Sequence, residues 1–242
     1  MVLTMGLFVL AIISGMLGLG VAFAAVPFLS FFMQDLVHQV QPVSLLLNGV
    51  TALFAAFGFA QSGYVHWKKA GALAAVTTLF APFGAYFVQF VPQIYIWYVY
   101  LLAVAFLAYK MFSGTESKVK GENLRLAIVF AVPVSILSGF IGVGPGFLLM
   151  PILILLGFDA KKAAGINAIA VTPPSFSAVL PHLATAEINM EVMIPLLVVG
   201  AIGSFLGARL SSKYLPSIRL KQIFGILIVC MTAYKIYTLL RI

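Results

Sequence analysis

Charge is what this sequence has least of. Asp and Glu number six in 242 residues and charged residues make up 8%, against about 25% in soluble domains. No carboxylate lies deep in an apolar run. Carboxylates are the usual ligands and relays for coupled Na⁺ or protons inside a membrane, so cation coupling has no residue-level support. Cysteine is limited to Cys230, itself in an apolar run, which excludes a disulfide framework and a thiolate metal site. No cluster of His, Cys and Glu offers a metal or haem site, and no nucleophile stands beside a base. The chain therefore reads as a non-enzyme without cofactor or metal. No basic residue precedes the first apolar run, which argues against a cleaved signal peptide.

Apolar residues fill the space: 63% of the chain is hydrophobic. At least about six windows of roughly 18 uncharged residues are each long enough to cross a bilayer core as helix. Long unbroken runs point to helices rather than to a barrel, whose strands alternate. Fourteen Lys and Arg give a net charge of +8. In this context the excess marks cytoplasmic loops rather than nucleic-acid binding. Membrane lipid is the expected surrounding partner, and the sequence leaves open whether the chain forms a homodimer.

One pattern occurs twice. Ser14-Gly15-Met16-Leu17-Gly18-Leu19-Gly20 is followed by Pro27, and Ser138-Gly139-Phe140-Ile141-Gly142-Val143-Gly144 by Pro151, every matched position being offset by 124. Pro92 and Pro216 match at the same offset. A duplicated unit follows, with a first transmembrane repeat over 1–112, a cytoplasmic linker at 113–123 and a second repeat over 124–242. Residues 1–34 would make one straight helix of about 50 Å, too long for a bilayer. The glycines and proline predict a helix to about Leu17, a turn, and a shorter helix from about Ala22 to Met33. Asp35 to Gln41 then reads as a polar loop. Four further runs of the repeats lie at Pro42–Ser62, Gly71–Phe90, Ala163–Thr185 and Val192–Leu210. Two more lie at Tyr95–Phe112, with its tyrosines and Trp97 as an interfacial belt, and at Ile218–Leu240.

Charge counting chooses between two topologies. If each broken stretch crosses once, the basic residues divide eight inside and six outside. If each is a hairpin that enters and leaves on one side, the second half is inverted and the division is twelve to two, the better fit to the positive-inside rule. The fold class is thus all-α: a polytopic bundle of two inverted-topology repeats, each a glycine-broken hairpin followed by three transmembrane helices.

Inverted repeats with helices broken near the midplane are a plan of secondary transporters, whose substrate sits where the breaks face each other. Helix N-termini at a break expose N–H groups that favour an anion, and glycine lets the backbone approach it. Gly18, Gly20, Gly142, Gly144 and Gly146 are the candidate backbone ligands, and close helix packing is the alternative use of such glycines. Polar side chains within the runs supply neutral donors: Asn48, Thr51, Asn167, Thr172, Ser175 and His182. Their alternative is hydrogen bonding between helices. Thr172-Pro173-Pro174-Ser175 predicts an unwound helix, because two prolines free carbonyls in mid-run. For His182, a structural histidine at the interface weighs against a proton carrier.

GMLGLGVAFAAVP and GFIGVGPGFLLMP resemble the paired glycine-rich segments, each with its following proline, of the TauE/SafE family of sulfite exporters. The similarity covers nearly the whole chain. It implies a bacterial or archaeal inner-membrane permease that exports sulfite, thiosulfate or a small organosulfonate. The copies differ after the break, Val21-Ala22-Phe23 against Pro145-Gly146, which makes the second the richer in glycine. A permease for another small anion or metabolite, uptake included, is the alternative; a membrane enzyme or a structural scaffold fits the residues less well.

Overall fold

The computed structural model of the chain describes residues 2–112 and 121–216, together with Arg219, Gln222, Ile223, Ile226 and Cys230. The expected last helix and most of the linker lie outside the described residues. Among the described residues the regular structure is helical: α1 (Val2–Met16), α2 (Ala22–Leu29), α3 (Gln41–Ala60), α4 (Trp67–Phe87), α5 (Gln93–Phe112), α6 (Leu124–Ile141), α7 (Gly146–Leu155), α8 (Ala160–Val179) and α9 (Met190–Tyr214). Five stretches are long and apolar enough to cross a membrane: Leu36–Ala60, Trp67–Phe90, Leu124–Ile141, Ala160–His182 and Met190–Tyr214. The chain is a multi-pass membrane protein.

Glycine sets how closely these helices cross. Gly15 of α1 lies on the Ser204 backbone of α9, and Gly207 of α9 lies on Ile12 and Met16. The same exchange recurs where Gly139 of α6 lies on Ala81 of α4 and Gly84 lies on Ile136 and Phe140. At all four positions a Cβ would overlap backbone atoms. Without a hydrophobic drive between helices in lipid, such close contact is what holds them. The packing use of glycine is therefore the right reading for Gly15 and Gly139.

Hydrogen bonds give the helix directions. The Ser204 hydroxyl donates to the Thr51 carbonyl at 2.6 Å, and further along both helices Gly58 meets Ala208, so α3 and α9 run parallel. Leu7 beside Gly200, and Ile12 beside Gly207, make α1 parallel to α9 as well. α8 runs the other way: Asn48 bonds Ser175, while the Tyr64 carbonyl beyond the end of α3 meets Gly165 near the start of α8. α4 runs with α8, tied by Thr77 to Ala170 at one level and Gln89 to Pro181 at the next. Because α1 and α3 are parallel, the segment between them must return across the same half of the bundle.

Three expectations are corrected. The stretch at Asp35–Gln41 is not an open loop: Leu36–Val40 form a π-helical turn leading into α3, capped by the Asp35 carboxylate, which accepts from Val37 and His38 N–H. The Thr172-Pro173-Pro174-Ser175 stretch does not unwind α8, which is continuous from Ala160 to Val179. The carbonyl that Pro174 leaves without an N–H belongs to Ala170, and the Thr77 hydroxyl of α4 donates to it at 2.8 Å. A hydroxyl from a neighbouring helix thus re-satisfies the backbone. The Tyr100 hydroxyl does the same at 3.0 Å for Phe23, the carbonyl freed by Pro27. Finally, Tyr95 and Tyr98 are exposed as a belt requires, but Trp97 is buried and packs edge-on to Tyr100.

Candidate functional site

The repeated heptapeptide folds the same way twice. α1 closes with Leu19 N–H donating to the Ser14 carbonyl at 3.1 Å, and α6 with Val143 N–H donating to the Ser138 carbonyl at 3.1 Å. Gly18 (φ 62°) and Gly142 (φ 77°) take the left-handed residue of this helix-ending turn. Gly20 (φ 70°) and Gly144 (φ 69°) reverse the chain again, into α2 and α7. Serine and the first glycine therefore belong to helix end and packing, and the other two glycines make the break.

Both breaks converge on Asn48. A Cβ on Gly20 would overlap the Asn48 Oδ1, and one on Gly144 would overlap its Nδ2, so the amide lies between the two glycines. Its Oδ1 accepts from Ala22 N–H at 2.9 Å, and its Nδ2 donates to Ser175 Oγ at 2.8 Å. Thr51 Oγ1 accepts from Val21 N–H at 3.1 Å. The first turn of α2 is thus held by two oxygen acceptors one helical turn apart on α3. Beside them, Asn167 of α8 donates through Nδ2 to the Gly18 carbonyl at 2.8 Å and to the Gly146 carbonyl at 3.2 Å, spanning both breaks. Its Oδ1 is buried without a partner. Phe23 and Phe147, each just beyond its break, stack with centroids 5.4 Å apart and planes 3° apart.

Of the residues expected at the site, Gly18, Gly20, Asn48, Thr51, Gly144, Gly146, Asn167 and Ser175 come together. Gly142 lies against the Gln41 side chain at the edge of this group. Thr172 does not join it; its hydroxyl turns back to the Ala168 carbonyl at 2.9 Å. His182 lies two helical turns beyond Ser175, buried under the loop from α8 to α9. Two residues escaped the sequence reading. Gln41 donates through Nε2 to the Phe140 and Ile141 carbonyls at 3.3 and 3.1 Å, and the Ser44 hydroxyl donates to the Gly142 carbonyl at 2.8 Å. The signal was present in the spacing, because 41, 44, 48 and 51 share one face of a helix.

The breaks are not chemically equal. Pro145 has no N–H, and no side chain caps the first turn of α7 from that position, whereas Asn48 and Thr51 serve α2. Charge is also divided between the two ends of the bundle. One end carries Asp35, His38, Glu187 and Glu191. The other carries Lys68, Lys69, Lys161, Lys162, Arg209 and Lys213, with Glu122 bonded to Lys69 and 3.8 Å from Lys162. Burial opposes ionisation of Asp35, but His38 and the N–H groups of Val37 and His38 outweigh it and hold the carboxyl below its ordinary value. Among the described residues no group of three or more metal-ligating side chains occurs.

Comparison with known proteins gives the family. The model of the family described as sulfite exporter TauE/SafE matches residues 2–235. A probable membrane transporter protein of Methanocaldococcus jannaschii is 23% identical, over 91% of this chain and 90% of its own. Another, YdhB of Bacillus subtilis, is 22% identical over 92% and 94%, and one from Xylella fastidiosa is 27% identical over 92% and 89%. No solved structure matches the chain. Two glycine breaks meeting inside a bundle of membrane helices, and a family match over nearly every residue, place the chain in the TauE/SafE family of membrane transporters.

Proposed function

We propose that the chain exports a small sulfur oxyanion or organosulfonate across the inner membrane by alternating access, with the substrate bound between the two glycine breaks. The observation that carries this reading is the Asn48 amide lodged between Gly20 and Gly144. An amide oxygen there already accepts from the first turn of α2, the role an oxyanion oxygen takes at a helix N-terminus. In transport the substrate displaces that oxygen, takes the Ala22 N–H, and gains Asn48 Nδ2 as a donor, which leaves Ser175 Oγ, itself still donating to the Val171 carbonyl. Neutral donors suit a cargo that must also leave.

The architecture behind this proposal is a pair of inverted repeats over 1–112 and 124–242, joined by a cytoplasmic linker. Antiparallel packing of α3 on α8, the reciprocal glycine crossings, and the stack of Phe23 on Phe147 all support a two-fold relation in the membrane plane. The basic end of the bundle is then cytoplasmic. An anion leaving a cell that is negative inside gains about 2.3 kcal/mol per charge per 100 mV, so export needs no coupled cation unless the gradient is steeply inward. Efflux of labelled sulfite or thiosulfate from proteoliposomes tests the substrate class, and a bilayer indistinguishable from protein-free vesicles refutes it.

A further inference from the structure

Beyond Ser175, α8 runs through Pro181 into a 3₁₀ turn ending at His182, which is wholly buried. Neither ring nitrogen completes a hydrogen bond of good geometry, and the Val37 backbone carbonyl is the acceptor that faces the ring. A neutral imidazole here leaves its acceptor nitrogen unpaired, and an imidazolium, with only weak support from the Val37 carbonyl, would carry a charge that nothing compensates. Buried polar groups are nearly always paired, so packing alone does not account for a histidine at this position.

What covers it is a latch between two loops. Glu187 N–H donates to the His38 carbonyl at 2.9 Å, and Gln39 Nε2 donates to Glu187 Oε2 at 2.9 Å. Thr185 and Ala186 N–H fold back onto the His182 carbonyl, and Gln89 Nε2 holds the Pro181 carbonyl at 2.6 Å. The titratable groups on the elements that close over the ring are few. His38 is paired through Nδ1 with Asp35 at 2.8 Å, Glu187 lies on the covering loop, and Glu191 lies in the first turn of α9. The segment Val88–Phe90 has none. None of these groups is hydrogen-bonded to the His182 ring.

We propose that His182 is a proton-binding site in the acidic mouth of the bundle, empty while the latch is closed and filled when it opens. Opening wets the ring beside the Glu187 and Asp35 carboxylates, where an imidazolium is solvated and paired. Because the state that binds more protons gains as pH falls, acid on that side opens the mouth, and closure expels the proton. The cargo does not enter this argument, so it stands or falls apart from the proposed substrate.

Hydrogen–deuterium exchange of the full chain in nanodiscs, without added anion, reads the latch directly through peptides covering residues 35–40 and 183–189. With an ordinary histidine affinity of about pH 6.5 in the open state, opening rises about tenfold from pH 7.5 to 5.5 after correction for intrinsic exchange. His182→Gln removes that dependence, and His38→Gln keeps it. Gln39→Ala, which cuts the latch, raises opening at both pH values and keeps the slope. A wild-type latch indifferent to pH overturns the proposal, and so does a tenfold rise that survives His182→Gln or vanishes in His38→Gln. The wild-type and His38→Gln results decide the matter even if the His182 variant does not assemble.

Discussion

Phe23 and Phe147 hold corresponding places in the two halves of the sequence and stack face to face, their planes 3° apart. Such a contact between corresponding residues is what the proposed two-fold relation between the halves requires. The stack lies just beyond Gly20 and Gly144, the two glycines that meet at Asn48.

Labelling tests the orientation that follows. Val37, in the turn before α3, and Ala160, at the start of α8, lie at opposite ends of the bundle but are themselves buried, so the reporters belong on their exposed neighbours Gln34 and Lys162. In a Cys230→Ser background, Gln34→Cys is expected to react with a membrane-impermeant thiol reagent added outside intact cells. Lys162→Cys is expected to react only after permeabilisation. Labelling of both from one side would contradict the inverted arrangement.

Asn48 separates a structural from a transport role. Asn48→Ala leaves the Ala22 N–H without its acceptor, while the Ser175 hydroxyl keeps the Val171 carbonyl, at a cost of about 1–3 kcal/mol in unfolding. Asn48→Asp keeps the acceptor and sets a fixed anion at the start of α2. It is expected to retain thermal stability near wild type while losing anion-dependent stabilisation.

The prolines of α8 offer a double-mutant cycle. Thr77→Val removes the donor to the Ala170 carbonyl and is expected to cost about 1–3 kcal/mol. Pro174→Ala restores the backbone N–H to that carbonyl, so the pair together should cost clearly less than the sum. Strict additivity in thermal unfolding would show that Thr77 does not stand in for the missing bond.

Glycines of the same sequence type should differ sharply. Gly84→Ala drives a methyl into the Ile136 carbonyl of α6, and it is expected to abolish assembly as read by size-exclusion chromatography. Gly63 has φ 75° with nothing around it. Gly63→Ala should cost only about 1–2 kcal/mol of left-handed strain.

Much of this was legible in the chain itself. The repeat, the two breaks and the uneven distribution of lysine followed from residue type and spacing, because each reflects a one-dimensional constraint. Pro173 and Pro174 misled for the opposite reason. Their cost is met by Thr77, nearly a hundred residues away, and no local pattern announces that donor. Gln41 and Ser44 went unread because their partners are carbonyls at Phe140, Ile141 and Gly142, which exist as acceptors only once α6 ends. The cover over His182 went unread because it is made by residues 35–40 and 183–189, which are far apart in the chain.

Acidification also bears on the cap of the π-helical turn before α3. The Asp35 carboxyl is held below its ordinary value, so the stability it contributes is present above the ordinary carboxylate range and lost as pH falls through its lowered value. Asp35→Ala should cost about 1 kcal/mol at neutral pH, with the difference from wild type in thermal unfolding shrinking under strong acid.

The most direct test of the account is efflux of labelled sulfite or thiosulfate from proteoliposomes, comparing wild type with Asn48→Asp at matched reconstitution. The account predicts saturable efflux that accelerates when the interior is made negative and falls to the protein-free rate in the variant. Efflux through Asn48→Asp equal to wild type, or none from wild type for any sulfur oxyanion or sulfonate, would contradict it.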